Sequence, residues 1–447
     1  MRWRRGRLRA ALVLALAAAV AVPAALTGCS RAAGDAGPQF VTPPLIRYTS
    51  VLWPVPLELV GAEPGARLRL VARMTNERGT WRSEATYTVP ATGILDLATA
   101  RPQLAGYQQP DSVGLFWSLR GPQLQGEPLA RQWMQETSYV SVTALEGSRP
   151  IASRTFGLEG LAATSAPRTV FGHDLAAAES VAGGGTGGRL APPPPETHED
   201  VPVGRFYSAR SIERPRTPAV IVFDDGSPGA SGDFVAPLLT QFGASVFVVP
   251  VGAQSDGIHV VTPIDSSAVT AILDWLTQRG DVDGRAIFAY GTGASEQLAL
   301  WMATRYPGRV AGVFAAGGAT TLLCRTRAAV APVFEDGVSL PCHVHVDRVD
   351  EGVVVPLASI RGPVVLGCSR LDRRLPSACG WLDTAAARRG TRAGDVYLRE
   401  ATAAPAITVP PGLPIAIPDG PSGQATEQAR VAFWNAVGTI LIRAAQI

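Results

Sequence analysis

The feature that most constrains the fold is a regular alternation of buried strand-like runs and amphipathic helical stretches in the second half of the chain. The strand-like runs are Ala219–Phe223, Ser245–Val251, Ala286–Tyr290, Val310–Ala315, Pro363–Leu366 and Val396–Leu398. The helical stretches are Phe234–Phe242, Ser266–Gln278, Ser295–Tyr306, Ala378–Arg389 and Gln424–Ala445. Parallel neighbouring strands need long crossovers, which are usually helices, so this order predicts a mostly parallel sheet with helices on both faces.

The first half of the chain has little helical periodicity. Short strands separated by turns are predicted at Pro56–Val60, Arg67–Met74, Ala85–Val89, Leu115–Leu119 and Tyr139–Ala144. This pattern is typical of a β-sandwich, which we assign to residues 40–172. A segment rich in Gly and then Pro follows, and its composition predicts an exposed linker over 173–200. The α/β domain then extends over 201–447.

The N-terminus has the features of an export signal that ends at Cys29. Five arginines precede an uncharged apolar run, which is the order of a signal peptide. The sequence Leu26-Thr27-Gly28-Cys29 resembles the bacterial lipobox, in which the cysteine is acylated and becomes the new N-terminus. We predict a signal peptide over 1–28, a tether over 29–39 and a lipid on Cys29. An uncleaved membrane-spanning anchor of about 19 apolar residues is the alternative, and both place the globular part outside the cytoplasm.

Removal of residues 1–28 changes the formal net charge from +3 to −2, because they contain five arginines and no acidic residue. No basic stripe favours nucleic acid as a partner. The membrane is the partner that the predicted lipid anchor implies. We identify no cofactor or metal motif, and the sequence does not indicate a protein partner.

Four cysteines remain in the predicted mature chain after Cys29, an even number in a compartment where disulfides persist. They are Cys324, Cys342, Cys368 and Cys379. Of three pairings, we favour Cys324 with Cys342 and Cys368 with Cys379, because both loops are short and local. Free buried thiols are the alternative.

A strand, a sharp turn and a helix follow one another at Ala286-Ile-Phe-Ala-Tyr-Gly291-Thr-Gly293-Ala-Ser295-Glu. This is the context of a nucleophile elbow, in which a strained turn presents an attacking side chain above a helix N-terminus. The residue at the apex is Gly293. The turn therefore has the expected context without an attacking atom.

The chain resembles the acyl-CoA thioesterase and bile acid-CoA:amino acid N-acyltransferase family. Segments that carry this resemblance are Gly79–Ser83, Gly93–Asp96, Asp111–Ser118, Pro218–Ser227, Gly362–Gly367 and Leu371–Ser377. The resemblance implies a β-sandwich followed by an α/β-hydrolase-type domain, and an acyl thioester hydrolase or acyltransferase activity. It places the nucleophile position at Gly293 and the acid position at Asp372.

The chain departs from this family at two positions that the chemistry needs. Gly293 has no side chain, and none of the five histidines, at positions 173, 198, 259, 343 and 345, follows Asp372. Loss of the serine or the histidine costs serine hydrolases roughly 10⁶ in kcat. We therefore expect catalysis to be impaired.

Other residues with functional side chains are weaker candidates for a catalytic or metal site. Ser295, two residues after the apex, is a rescue nucleophile, although packing or capping is the favoured interpretation. Thr292 is expected to point away from the site. His343 and His345 share one face of a strand, and two histidines without a third ligand favour an ordinary surface strand over a metal site. Without a histidine partner, Asp372 is expected to be an exposed loop acid near Arg373.

The leading hypothesis is an exported, membrane-anchored protein that binds a lipid or acyl ligand or a partner in the cell envelope. An ester or thioester hydrolase with a rearranged site, using Ser295 and Asp372, is the alternative from the enzyme class. A structural envelope protein is the second alternative.

Overall fold

A computed structural model describes residues 37–42, 45–47, 57–159, 166–176, 201–255, 258–324 and 330–446. The predicted signal peptide, Cys29 and most of the linker, 177–200, lie outside the described residues. Residues 37–447 form one compact unit. Within the described chain, no helix is both long and apolar enough to span a membrane.

Two sheets build the N-terminal region, as the sequence predicts. The first has the order β1 (Gln39–Phe40), β3 (Glu58–Val60), β6 (Ile94–Asp96). The second has the order β2 (Leu45–Arg47), β9 (Arg149–Glu159), β8 (Ser138–Glu146), β4 (Arg67–Asn76), β5 (Gly79–Thr88), β7 (Leu104–Ala105). Side chains from both sheets, among them Leu59, Leu70 and Val142, share one hydrophobic core.

The predicted strand at Leu115–Leu119 is wrong. Residues Gly114–Trp117 form a short helix, α1, and α2 (Gly126–Ala130) with a π-helical turn (Arg131–Gln135) follows. Asp111 explains the local helix, because its carboxylate accepts hydrogen bonds from the Val113 N–H at 2.9 Å and from Trp117 Nε1 at 2.8 Å. A short apolar run does not itself distinguish a buried strand from a buried helix.

The C-terminal region contains the predicted sheet, with eight strands and six of them parallel. Its order is β10 (Arg168–Phe171), β11 (Pro202–Tyr207), β13 (Ser245–Pro250), β12 (Thr217–Asp224), β17 (Val282–Thr292), β18 (Gly312–Ala316), β21 (Val364–Ser369), β22 (Val396–Glu400). Strands β10 and β11 are antiparallel to their neighbours. Strand β10 lies before the predicted end of the sandwich at 172, so this sheet begins earlier in the chain than predicted.

Helices cover both faces of this sheet. On one face α3 (Gly232–Gln241) and α7 (Pro421–Ala444) pack in the same core as the N-terminal region. On the other face lie α4 (Ser266–Gln278), α5 (Glu296–Arg305) and α6 (Ala378–Arg389). The smaller strands are β14 (Gly252–Ser255), β15 (Ile258–Val261), β16 (Ile264–Asp265), β19 (Val333–Glu335) and β20 (Val338–Ser339), and short 3₁₀ turns lie at Gly293–Ser295, Glu351–Val353 and Leu357–Ser359.

Both predicted disulfides are confirmed. Cys324 is bonded to Cys342 and Cys368 to Cys379. The second bond joins the end of β21 to the first turn of α6, beside the segment that contains Asp372. Two disulfides favour an oxidising compartment outside the cytoplasm.

Candidate functional site

The sharp turn predicted between β17 and α5 is present, and its apex is Gly293. The Gly293 backbone has a φ of +52°, a conformation that side-chain-bearing residues rarely adopt. At Gly291 an added Cβ would lie 2.5 Å from the carbonyl oxygen of Ser295, which shows how closely the helix approaches the strand. The turn thus has the strained geometry of an elbow, with a hydrogen atom where an elbow carries its attacking group.

Ser295 is fully buried, and both of its hydrogen-bond functions are used within the turn. Its Oγ accepts from the Thr292 N–H at 3.0 Å and donates to the Thr292 carbonyl at 2.9 Å. These hydrogen bonds support a capping role for Ser295 rather than a role as a nucleophile. Thr292 Oγ1 lies 2.5 Å from Thr408 Oγ1, so this hydroxyl bonds to the loop after β22.

A cavity of about 640 Å³ lies at the elbow. Gly293 and Ala294 form part of its wall, together with loops that follow β12, β18, β21 and β22. Apolar side chains make up much of the remaining lining: Pro228, Ala230, Ala319, Leu323, Val346, Leu371, Leu375, Pro405, Ala406 and Val409. All four loops follow the carboxyl ends of parallel strands, where open α/β sheets bind ligands.

A buried acid stands beside the apex. Asp225, in the loop after β12, is 1% exposed, and its Oδ1 accepts a hydrogen bond from the Ser227 N–H at 2.9 Å. A Cβ added at Gly293 would lie only 3.3 Å from Asp225 Oδ2. A carboxylate at this distance disfavours negative charge at the apex, where a hydrolase stabilises an oxyanion.

The expectation that Asp372 is an exposed acid is wrong. Asp372 is 7% exposed and forms part of the cavity wall. Its Oδ1 accepts hydrogen bonds from the Arg374 N–H at 2.8 Å and the Leu375 N–H at 3.1 Å, which turns the chain from β21 toward α6. Arg373 and Arg374 are exposed at the rim of the cavity. The acid position is thus occupied by a carboxyl that holds a turn.

The segment after β22, where the family resemblance places the base, also reaches the cavity. It contributes Pro405, Ala406, Thr408 and Val409 to the wall, and no histidine is among the described lining residues. The side chains facing the elbow from this segment therefore lack a group that could remove a proton from a hydroxyl at neutral pH.

The C-terminal helix α7 fixes this segment through buried polar side chains, which the sequence analysis did not identify. Arg430 is fully buried and donates to the carbonyls of Ala406 at 3.0 Å, Leu413 at 3.0 Å and Ile415 at 2.5 Å. Glu427 accepts from the Gly412 N–H at 2.6 Å. The spacing of these residues, one helical turn apart on an otherwise apolar face, was the available signal.

His343 and His345, the two histidines considered for a metal site, differ in burial. His343 is 7% exposed and packs edge-on against Trp381, with ring centroids 5.3 Å apart, so the expectation of a surface strand is wrong for this residue. His345 is exposed and lies 5.5 Å from His343, centroid to centroid. Among the described residues, no group of three or more His, Cys, Asp or Glu side chains is arranged to hold a metal ion.

Residues 53–157 match the family model of the acyl-CoA thioester hydrolase/BAAT N-terminal region. The match covers β3 to β8 and most of β9, and it includes the segments Gly79–Ser83 and Asp111–Ser118 that carry the resemblance. No curated protein matches the chain.

Solved structures of hydrolases are similar to part of the chain. A dienelactone hydrolase-like promiscuous phosphotriesterase from metagenomic libraries is 15% identical, with 54% of this chain and 92% of that chain covered and a TM-score of 0.32. A protein assigned as a carboxylesterase, from Lactobacillus plantarum, is 15% identical, with coverages of 53% and 93% and a TM-score of 0.36. Carboxyl esterase 2 from Tuber melanosporum is 16% identical, with coverages of 60% and 97% and a TM-score of 0.35.

Proposed function

We propose that this protein is an exported, lipid-anchored relative of the acyl-CoA thioesterase/BAAT family that binds a lipid or acyl-chain ligand without turning it over. The observation that carries the proposal is an open cavity of about 640 Å³ directly at an elbow whose apex is Gly293. The binding site is retained, and the attacking group is missing.

The size and lining of the cavity support binding. Small-molecule sites usually have volumes of roughly 300 to 1,000 Å³ and mostly apolar walls with a few polar groups. This cavity is mostly apolar, and its polar lining residues are Asp225, Ser227, Thr292, Gln297, Asp372 and Thr408, with Arg373 and Arg374 at the rim.

The location supports a ligand other than acyl-CoA. The lipobox-like sequence at Cys29 and the two disulfides both favour a position outside the cytoplasm, whereas acyl-CoA is made and kept inside it. Two or three acyl chains at about 0.8 kcal/mol per buried CH₂ would hold the protein at the membrane, close to a supply of apolar ligands.

Anchoring is tested by metabolic labelling of the full-length protein with a clickable fatty acid. We expect label on the wild type and on Ser30→Ala, and none on Cys29→Ser, because the thiol is the acceptor. A mature protein that is unlabelled and retains residues 1–28 would instead support the membrane-spanning anchor.

Ligand binding is tested with the fragment 30–447, which contains the whole compact unit, and with n-decanol, decanoate and decylamine as probes in calorimetry. We expect saturable binding of at least one probe at one site. The variant Ala294→Trp should weaken it by at least tenfold, because the indole would fill the cavity beside Gly293. The control Ala98→Trp, on an exposed turn of the N-terminal region, should bind like the wild type. Absence of binding by all three probes would favour the structural alternative.

A further inference from the structure

A second, smaller cavity of about 210 Å³ lies between the N-terminal region and the α/β region. Trp81, Trp133 and the segment 119–125 form its N-terminal wall, and the segment 414–417 forms its opposite wall. Around it the two regions are joined by polar contacts. Gln424 Oε1 accepts from the N–H groups of Gln108 at 2.8 Å and Gln109 at 3.2 Å.

The two cavities adjoin each other. Pro228 and Ala416 belong to the walls of both. These two residues come from separate loops that pack tightly, since a Cβ added at Gly229 would lie 2.7 Å from the side chain of Ile415. A ligand that occupied both cavities would therefore have to extend between Pro228 and Ala416.

Ala416 has an unusual backbone conformation at this junction. Its φ is +50°, in the left-handed region that residues with a Cβ rarely adopt. The neighbouring carbonyls are held from both sides, that of Ile415 by Arg430 at 2.5 Å and that of Pro418 by Arg120 at 3.0 Å. Such strain persists only where the surroundings enforce it, and it is concentrated at functional sites.

The chemistry of the two cavities differs. Most of the wall of the cavity at the elbow is apolar, although Asp225 and Asp372 also line it and Arg373 and Arg374 lie at its rim. The wall of the smaller cavity is more evenly divided between apolar and polar groups, and its polar side chains are Arg120, Gln123 and Gln125. Arg120 donates to Asp419 at 2.9 Å, to the Pro418 carbonyl at 3.0 Å and to the Leu119 carbonyl at 3.3 Å. These bonds use three of the five N–H groups of the guanidinium. A hydroxyl can accept a hydrogen bond from one of the two remaining N–H groups without displacing Asp419.

We propose that the smaller cavity is the head-group subsite for the ligand of the larger one. The ligand is a single-chain amphiphile whose chain lies over Gly293 and whose uncharged, hydroxylated head lies beside Arg120 between the two regions. This inference rests on the proposed ligand-binding function, because without a chain in the elbow cavity the subsite has no ligand to complete.

The probes for this inference are 1-monododecanoylglycerol and n-dodecanol, which share a chain length and differ in the head. We expect fragment 30–447 to bind the monoacylglycerol at least tenfold more tightly. Arg120→Gln should remove most of that preference and change dodecanol binding by less than twofold. Gln125→Trp, at an exposed position in the smaller cavity, should do the same by blocking it, which covers the case in which Arg120→Gln fails to fold.

The outcomes separate the two proposals. If neither probe binds, the ligand-binding function is wrong. If dodecanol binds as tightly as the monoacylglycerol, or if Gln125→Trp weakens both probes equally, the head-group subsite is wrong and the cavity at the elbow remains the binding site.

Discussion

Between pH 5 and pH 8, the unfolding free energy of Glu296→Gln is expected to rise by about 3 kcal/mol relative to that of the wild type. Glu296 begins helix α5 directly after the elbow, is 2% exposed, and accepts a hydrogen bond from the Gly318 N–H at 2.7 Å. Burial raises the pKa of this carboxyl to about 8. The magnitude follows from roughly 1.4 kcal/mol per unit of pKa difference between the folded and unfolded states.

The sign follows from proton uptake. Above a pH of about 4.3 the unfolded chain releases the proton, while the folded protein keeps it up to about pH 8. The contribution of Glu296 to stability is therefore complete below the unfolded pKa and is lost as the pH rises toward 8. Glutamine cannot ionise, and it retains an oxygen for the Gly318 N–H.

The measurement is urea unfolding of fragment 30–447 at several pH values, with the difference in unfolding free energy between variant and wild type plotted against pH. We expect the unfolding free energy of Glu296→Gln to increase relative to that of the wild type as the pH rises. Glu63→Gln, which removes an exposed carboxylate, is the control and should show no such trend. A pH-independent difference for Glu296→Gln would show that this carboxyl ionises normally in the folded protein.

Arg430→Ala is expected to lower the free energy of unfolding by about 3 to 5 kcal/mol, the range for removal of one partner from a buried ion pair. Burial lowers the pKa of Arg430 to about 10, so the side chain is still a cation at neutral pH. Its removal leaves Glu427, 3.6 Å away, without its cation, and three carbonyls of the segment 406–415 lose a donor. These carbonyls belong to the segment that walls the cavity.

The same unfolding measurement tests this prediction. Arg443→Ala, an exposed arginine on the same helix, should change stability by less than about 0.5 kcal/mol. The double variant Arg430→Ala with Glu427→Gln should recover part of the loss. The amide cannot ionise, whereas the buried Glu427 carboxyl, whose pKa burial raises to about 7, loses its cation in the single variant. A loss below about 1 kcal/mol for Arg430→Ala would contradict the role assigned to this side chain.

The sequence predicted the α/β region well because its strands and helices are long and strongly periodic. Each of the six predicted strands there overlaps an observed one, and the helix predicted at Ser266–Gln278 has those bounds in the structure. Local, short loops also made the two disulfide pairings predictable. The N-terminal region was less predictable at Gly114–Trp117, where the Asp111 carboxylate supports a helix within a run that reads equally well as a strand.

The sequence predicted which catalytic groups the site lacks better than it predicted which side chains meet there. The bare apex at Gly293 and the lack of a late histidine are visible in the sequence. The burial of Asp372 is not visible in the sequence, because it depends on a turn in which the Arg374 and Leu375 N–H groups donate to its carboxylate. Asp225 belongs to the segment Pro218–Ser227, which the family resemblance places at the oxyanion loop, but its contact with the apex, 68 positions away, depends on the pairing of β12 with β17.

The central claim is that the cavity at the elbow binds an acyl-chain ligand without catalysing its hydrolysis. Steady-state hydrolysis assays test this claim most directly. Fragment 30–447 is incubated with p-nitrophenyl decanoate and with a decanoyl thioester, and product release is compared with that of buffer and of the Ser295→Ala variant. We predict the buffer rate for both proteins. Turnover by the wild type that disappears in Ser295→Ala would contradict the account, because it would make the buried hydroxyl of the turn a nucleophile.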